Sequence, residues 1–384
     1  MTGGDFDPHQ VYETAIAHQE AGEFERAESL YRRLLADYPG HAAVNHNLGL
    51  IRLSVGLPAE AMSYFRVAMA TDSGNPEYHL SICCALVHLG YIGDVLDVAS
   101  KAIGMFGEDP RFRDFIQDFK DKPCMLKLQG SHAPERQVYM SALIHKLRNR
   151  TRPISILEVG SFMGASLLTW SKAVERLTGN AADIVCIDPW EGADRTQYDY
   201  KESIERYLAD GTAYRIFRNN LRFVPDRVTV TELRGMSHEI LPTLDGRTFD
   251  LIYLDGCHLH PEVLHDIQAC DRLLAEGGFI CGDDLELQLH EVDADFAMAN
   301  ARTDAVVPPG RDSLFHPGVT LGVGRFFGPV SVYHGFWAMC RTATGYEPVS
   351  MAGEIGMLPY HWPEEYYGTI LRNVAKDGLL AEVV

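Results

Sequence analysis

Two domains of different class are predicted by this 384-residue sequence: an all-α helical-repeat domain, then an α/β domain built on a doubly wound, mostly parallel sheet. Three observations carry that expectation. The first third matches itself when shifted by 34 residues. From Ile154 onward, short apolar runs of strand length alternate with stretches of helical spacing, the pattern of a parallel sheet with helices on its faces. Several of those runs end in an acid, where open sheets of this kind bind ligands. The boundaries follow: residues 1–120 for the helical domain, 121–152 for a linker with a lead-in helix, and 153–384 for the α/β domain with a C-terminal extension.

In the helical part, Gly22, Gly56 and Gly90 fall into register, as do Ala27, Ala61 and Val95. Tyr31 aligns with Phe65, Leu34 with Ala68 and Ala102, and Ala15 with Gly49 and Cys83. This resembles the tetratricopeptide repeat, in which small residues let two antiparallel helices approach and an aromatic fills the gap between neighbours. About three units cover residues 11–108, with Pro39 where that family ends a repeat and Ala99 replacing the aromatic of the third unit. Such an array offers a surface to a protein partner or to a second copy of itself, or serves as a rigid spacer.

Composition excludes several functions. A formal net charge of -19 argues against a nucleic-acid binder, since phosphate neutralisation needs concentrated Lys and Arg. The one basic cluster, Lys146, Arg148, Arg150 and Arg152, reads as a solvated helix end. No apolar run is long enough for a membrane span, and the N-terminus lacks the pattern of a secretory signal, so a cytoplasmic protein is expected. The 8 cysteines form no C-x-x-C pair, which indicates neither a thiolate zinc site nor a disulfide framework.

The α/β elements come in order. Ile154–Val159 is the first strand. Gly160-Ser161-Phe162-Met163-Gly164 turns into a helix through Leu167, Leu168 and Trp170. Glycine at 160 lets the backbone approach a ligand, and the helix N-terminus offers free N–H groups. The glycine spacing is not G-x-G-x-x-G, which disfavours a nicotinamide cofactor. Asp183–Ile187 is a second strand ending in Asp188, placed for the two hydroxyls of a ribose, with Pro189 and Trp190 bordering an adenine. Val228–Glu232 is the third and leads to Met236 and Ser237. The fourth, Ile252-Tyr-Leu-Asp-Gly-Cys-His-Leu-His260, is followed by a helix over Pro261–Leu274. Glu276-Gly277-Gly278 is expected to stop that helix before a fifth strand, Phe279–Cys281, that ends at Asp283 and Asp284.

As an ordered set, ILEVGSFMGAS, CIDPW, FDLIYLDG and LAEGGFICGDD resemble the class I S-adenosylmethionine-dependent methyltransferases over roughly residues 153–285. The resemblance implies a Rossmann-like domain. Glu158, Gly160, Ser161 and Gly164 would line the methionine side of the cofactor, Asp188 would hold the ribose, and Pro189, Trp190, Met236 and Ser237 would lie near the adenine, with Asp255 beside the methyl donor. The spacing is similar to that of metal-dependent O-methyltransferases of sugars and other small molecules. By that likeness Asp255, Asp283 and Asp284 would hold Mg²⁺ and His258 would be the general base. Asp283 departs from the Glu that those relatives often carry. Three uncompensated acids would repel, and hard oxygen ligands suit Mg²⁺. His260 would point elsewhere.

The aromatic-rich segment from Glu191 to Phe223, with Tyr198, Tyr200, Tyr207 and Tyr214, could be a lid or core. Gly335–Cys340 is expected to be an antiparallel closing strand. Methyl transfer to a hydroxyl of a small molecule or glycan is the expected function. A protein methyltransferase that docks its substrate on the repeats, and a non-catalytic scaffold, stand as alternatives.

Overall fold

The computed structural model describes residues 7–107, 109–124, 134–191, 207–362 and 364–384. The chain divides into two units, Met1–Cys124 and Met125–Val384.

The first unit is helical throughout its described residues. Three antiparallel pairs follow one another: α1 (Pro8–Glu20) with α2 (Phe24–Asp37), α3 (Ala42–Ser54) with α4 (Pro58–Thr71), and α5 (Pro76–His88) with α6 (Ile92–Phe106). A seventh helix, α7 (Pro110–Lys120), closes on α6. Proline opens α1, α5 and α7 at the first turn, where its missing N–H costs nothing, and Asp7, Asn75 and Asp109 cap these helices by accepting a backbone N–H. The glycines in register turn out to share one conformation, with φ of 77°, 79° and 72° at Gly22, Gly56 and Gly90. Small residues in register are a packing necessity: a Cβ on Gly49 would lie 2.5 Å from the Phe65 ring. Where Ala99 stands in place of an aromatic, Phe112 of α7 is fully buried in the same apolar cluster.

The second unit begins earlier than the expected strand boundary. Helix α8 (Arg136–Lys146), in the stretch expected to hold a linker and a lead-in helix, is buried from Gln137 to Ile144 and packs on α9 (Ala165–Ala173). The sheet begins with β1 (Ile154–Val159), β2 (Ala182–Asp188), β3 (Val228–Arg234), β4 (Phe249–Leu254) and β5 (Leu274–Gly282). Three antiparallel strands follow, β6 (Ser331–Tyr333), β7 (Phe336–Thr342) and β8 (Gly345–Pro348). The sheet order is β3-β2-β1-β4-β5-β7-β6, with β8 on β7; β1 to β5 are parallel and β7 runs antiparallel to β5. The closing strand expected at Gly335–Cys340 is thus β7.

The order reverses between β1 and β4, so their carboxyl ends form the crevice of a doubly wound sheet. Helices α10 (Thr212–Asn220), α11 (Glu262–Asp271) and α12 (Pro317–Phe327) complete the elements near it, and α13 (Tyr367–Asp377) lies near the C-terminus. Leu157, Ile187, Leu254 and Ile280 belong to one core cluster with Val263 and Ile267 of α11 and Val319 and Val323 of α12.

Two expectations need correction. The helix after β4 ends at Asp271 rather than Leu274, and β5 starts at Leu274. Gly277 and Gly278 do not stop a helix; they lie in an irregularity of β5, where the pairing jumps from Phe249↔Leu274 to Leu251↔Phe279. The basic cluster does follow the end of α8 with Arg148 and Arg152 exposed, and it is also paired with acids. Arg152 gives two 2.8 Å hydrogen bonds to the fully buried Asp250, and Glu354 accepts from Lys146 at 3.1 Å and Arg148 at 3.0 Å beside His145 at 2.7 Å.

Candidate active site

The crevice holds a cavity of about 300 Å³, at the lower end of the size that encloses a small organic ligand. Gly160, Ser161, Asp188 and Pro189 line it, as do Met236, Ser237, Asp255 and His258.

Gly160 is required by its neighbour across the sheet. At φ +92° its ideal Cβ would stand 2.0 Å from the carbonyl oxygen of Asp255. The turns after β1 and β4 therefore touch backbone to backbone, and Asp255 N–H donates to Val159 O at 2.9 Å. Gly164, at φ +89°, is the residue before α9 and packs toward Phe217; it does not line the cavity.

Asp188 stitches the turns after β1 and β2 together. One carboxylate oxygen accepts Phe162 N–H at 2.8 Å and the other accepts Trp190 N–H at 2.6 Å. Phe162 and Trp190 both take a left-handed φ of 45°, and these bonds help hold them there. Burial pushes the Asp188 carboxyl up to about 6, against the pull of the two N–H donors. Trp190 does not border the cavity. Its ring is fully buried against Tyr214 and Phe217, and its Nε1–H donates to Phe162 O at 2.6 Å.

Glu158 is also behind the wall rather than on it. It is fully buried, accepts from Ser166 Oγ, and burial raises it to about 8, so it is largely protonated at neutral pH. Ser161 and Ser166 of this turn face the space, together with Gly160, Phe162 and Ala165.

At the other end the acids are not uncompensated, which overturns the premise for a Mg²⁺ held by Asp255, Asp283 and Asp284. Arg136, from the first turn of α8, sets Nη1 2.5 Å from Asp283 Oδ2 and 3.5 Å from Asp284 Oδ1. Burial opposes its charge, but Asp283 and Asp284 more than offset this and hold the guanidinium firmly protonated. Tyr253 OH donates to Asp255 at 3.0 Å and lies 3.5 Å from Asp283. A divalent ion shared by these three acids would have to displace a buried, paired cation, so the donor set does not fit Mg²⁺.

His258 lies among carboxylates on both sides. Its Nδ1 is 2.9 Å from Asp304, while Nε2 is 3.2 Å from Asp284 and 3.7 Å from Asp255. Burial works against the charged ring, yet Asp284, Asp255 and Asp304 raise it well above the usual histidine value. His260 does point elsewhere, with Nε2 3.0 Å from Arg325 Nη1. Tyr198 and Tyr200 lie outside the described residues, as does most of the lid segment. Tyr207 is buried, and Tyr214 packs on Trp190 and donates to Glu232 at 3.0 Å.

Arg136, Asp304, Glu286 and His316 escaped the sequence reading. Arg136 left one signal, a cation at the head of a helix whose next eight residues are buried. The others lie on loops with no pattern of their own.

Parts of the chain are similar to known proteins. Residues 157–285 match the family described as a methyltransferase domain, and residues 12–76 match the tetratricopeptide repeat. A protein of Sinorhizobium fredii, described as uncharacterized protein y4gI, is 24% identical over 243 residues, covering 63% of this chain. The chain spans only 23% of that relative's length. Solved structures similar to the chain include the first tetratricopeptide domain of Spaghetti (RPAP3) bound to an HSP90 peptide, at 11% identity and a TM-score of 0.29, covering 30% of this chain and 90% of that one. MamA from Desulfovibrio magneticus RS-1 is 19% identical with a TM-score of 0.28, covering 30% of this chain and 67% of that one. No helix among the described residues is long and apolar enough to cross a membrane. The chain thus carries a methyltransferase domain of the class I S-adenosylmethionine-dependent family, preceded by tetratricopeptide repeats.

Proposed function

We propose that the α/β domain transfers a methyl group from S-adenosylmethionine to a hydroxyl oxygen of a small molecule or glycan. One observation carries this reading: a single cavity runs from Asp188 past Gly160 to Asp255 and His258, with groups suited to a nucleoside at one end and groups suited to a hydroxyl at the other. S-adenosylmethionine, when bound, supplies an electrophilic sulfonium methyl. Asp188 keeps lone pairs for two ribose hydroxyls, since each of its oxygens holds one backbone N–H. Gly160 admits the ligand against bare backbone, and Pro189, Met236 and Ser237 border the base.

His258 was the expected proton acceptor, but both its nitrogens face carboxylates, which favours a ring that donates twice and has no lone pair to offer. Asp255 is the better candidate. Its carboxylate opens on the cavity, is steadied by Tyr253 OH, and can receive the hydroxyl proton as the new C–O bond forms and the methyl leaves sulfur. Arg136 supplies the fixed positive charge for the neighbouring acids, so Mg²⁺ forms no part of this reading. The repeats serve as a docking surface for a protein partner or a second copy.

Calorimetry with S-adenosylmethionine and its demethylated product tests the cofactor. The wild type should bind both and Asp188→Ala should bind neither; no heat with the wild type would leave the scaffold reading. Transfer of a labelled methyl group to fractionated cell extract then tests the acceptor. Label should appear in small-molecule or glycan fractions, and label confined to protein would favour a protein methyltransferase. Asp255→Asn should cut turnover by roughly 10²–10⁴ with cofactor affinity retained.

A further inference from the structure

Beside the cavity, one cluster is built in a way that methyl-donor binding does not explain. Among the described residues, His258, Asp284 and His316 form a group whose potential ligand atoms all lie within 4.8 Å of one another. The rings of His258 and His316 meet edge to face at 5.0 Å. Each ring is anchored through its other nitrogen. His258 Nδ1 is 2.9 Å from Asp304, and His316 Nδ1 is 3.1 Å from both oxygens of Glu286. Carboxylates at the two Nδ1 positions hold a proton there and leave the other nitrogen of each ring toward Asp284, where a metal ion would take the place of the proton that His258 Nε2 otherwise shares with Asp284. Asp284 Oδ2 faces His258 Nε2 at 3.2 Å, and its Oδ1 is on the Arg136 side at 3.5 Å. One oxygen is therefore available as a ligand while Arg136 stays in place.

The fold holds these residues together from three directions. Asp284 sits just beyond β5 at φ +58°, a conformation a non-glycine residue keeps only under constraint from its surroundings. His316 is the residue before α12, whose Gly318 would put a Cβ 2.1 Å from His258 O, so the start of α12 presses directly on the His258 backbone. Thr320 of α12 donates to Leu287 O at 2.7 Å and ties that helix to the loop that carries Asp284 and Glu286.

We propose that His258, Asp284 and His316 form a binding site for a divalent transition metal ion, distinct from the three-acid Mg²⁺ set. Two borderline imidazole nitrogens beside one hard carboxylate oxygen favour zinc, cobalt or iron over magnesium, which prefers oxygen alone. Asp283 takes no part, because it stays with Arg136. The proposal does not rest on the methyl-transfer reading, although His258 borders the same cavity.

The test uses the tag-free full chain, stripped with a chelator and titrated with CoCl₂ alone while visible absorption is followed. Ligand-field bands should saturate at one equivalent and disappear on addition of Zn²⁺. His316→Ala and Asp284→Asn should abolish them. Glu286→Gln, which keeps the shape but removes the anchoring charge, should weaken binding roughly 10–100-fold. Asp283→Asn should bind Co²⁺ as the wild type does. Absence of saturable bands in the wild type, or bands unchanged in both His316→Ala and Glu286→Gln, would overturn the proposal; so would Mg²⁺ binding that depends on Asp283. Calorimetry with S-adenosylmethionine on the same stripped protein reports separately on the methyl-donor site.

Discussion

Replacing Gly160 by alanine isolates the contact on which the crevice depends. The added Cβ would lie 2.0 Å from Asp255 O, 2.4 Å from Asp255 C and 2.6 Å from Gly256 Cα. All three are backbone atoms, so no side chain can swing away, and the turns after β1 and β4 must part by more than about 1 Å to restore ordinary contact. Overpacking of that kind costs about 1–3 kcal/mol and a left-handed φ on a non-glycine residue about 1–2, so the sum is roughly 2–5 kcal/mol. For a unit of this size, that lowers the melting temperature by roughly 4–20 °C. Gly179→Ala is the control, because Gly179 has φ +71° and nothing within 4 Å of its ideal Cβ. It should show the conformational cost alone, about 1–2 kcal/mol. Differential scanning calorimetry measures both, and titration with S-adenosylmethionine should show affinity lost in Gly160→Ala and kept in Gly179→Ala. Equal melting temperatures together with intact binding in Gly160→Ala would refute the close approach as the reason for glycine.

Three further outcomes follow from the same structure. Arg136→Met leaves Asp283 buried without its partner and should destabilise the second unit by about 3–5 kcal/mol in chemical denaturation, more than Arg136→Lys. Glu354 is held below its usual value: burial raises it, but His145 and Lys146, then Arg148, lower it more. Its contribution is therefore complete above the unfolded carboxylate value of about 4.3 and vanishes as pH falls through the lower folded value. Glu354→Gln should cost about 1–3 kcal/mol at pH 7, with the difference from wild type closing in strong acid. Gly49→Ala gains about 1 kcal/mol in helix propensity but drives a Cβ to 2.5 Å from the Phe65 ring, at about 1–3 kcal/mol; the net should be a lower melting temperature of the full chain.

Features set by local pattern were legible in the sequence. The register of Gly22, Gly56 and Gly90 is visible because each closes the same helix turn, and Asp188, Asp255 and Asp283 stand out because each follows an apolar run. Errors arose where one residue type serves two ends. Gly277 and Gly278 looked like a helix stop, yet they relieve a pairing shift within β5, where Gly278 would otherwise press a Cβ to 2.9 Å from Asp250 O. Trp190 looked like an adenine neighbour because it follows Asp188, but its left-handed backbone turns the ring into the core. The charge balance of the site was the least visible part. Arg136 is 147 positions from Asp283, and His258, Asp304 and His316 come from separate loops, so only the folded chain brings them together.

The pairing of α8 with the end of β5 bears on how this protein can be divided. The match to the methyltransferase family starts at residue 157, and the first strand at Ile154, so a natural place to cut would be just ahead of β1. A fragment cut there would lose Arg136 and leave the buried Asp283 without its cation, with only His258 beside Asp284. The smallest portable catalytic module therefore starts upstream of Arg136.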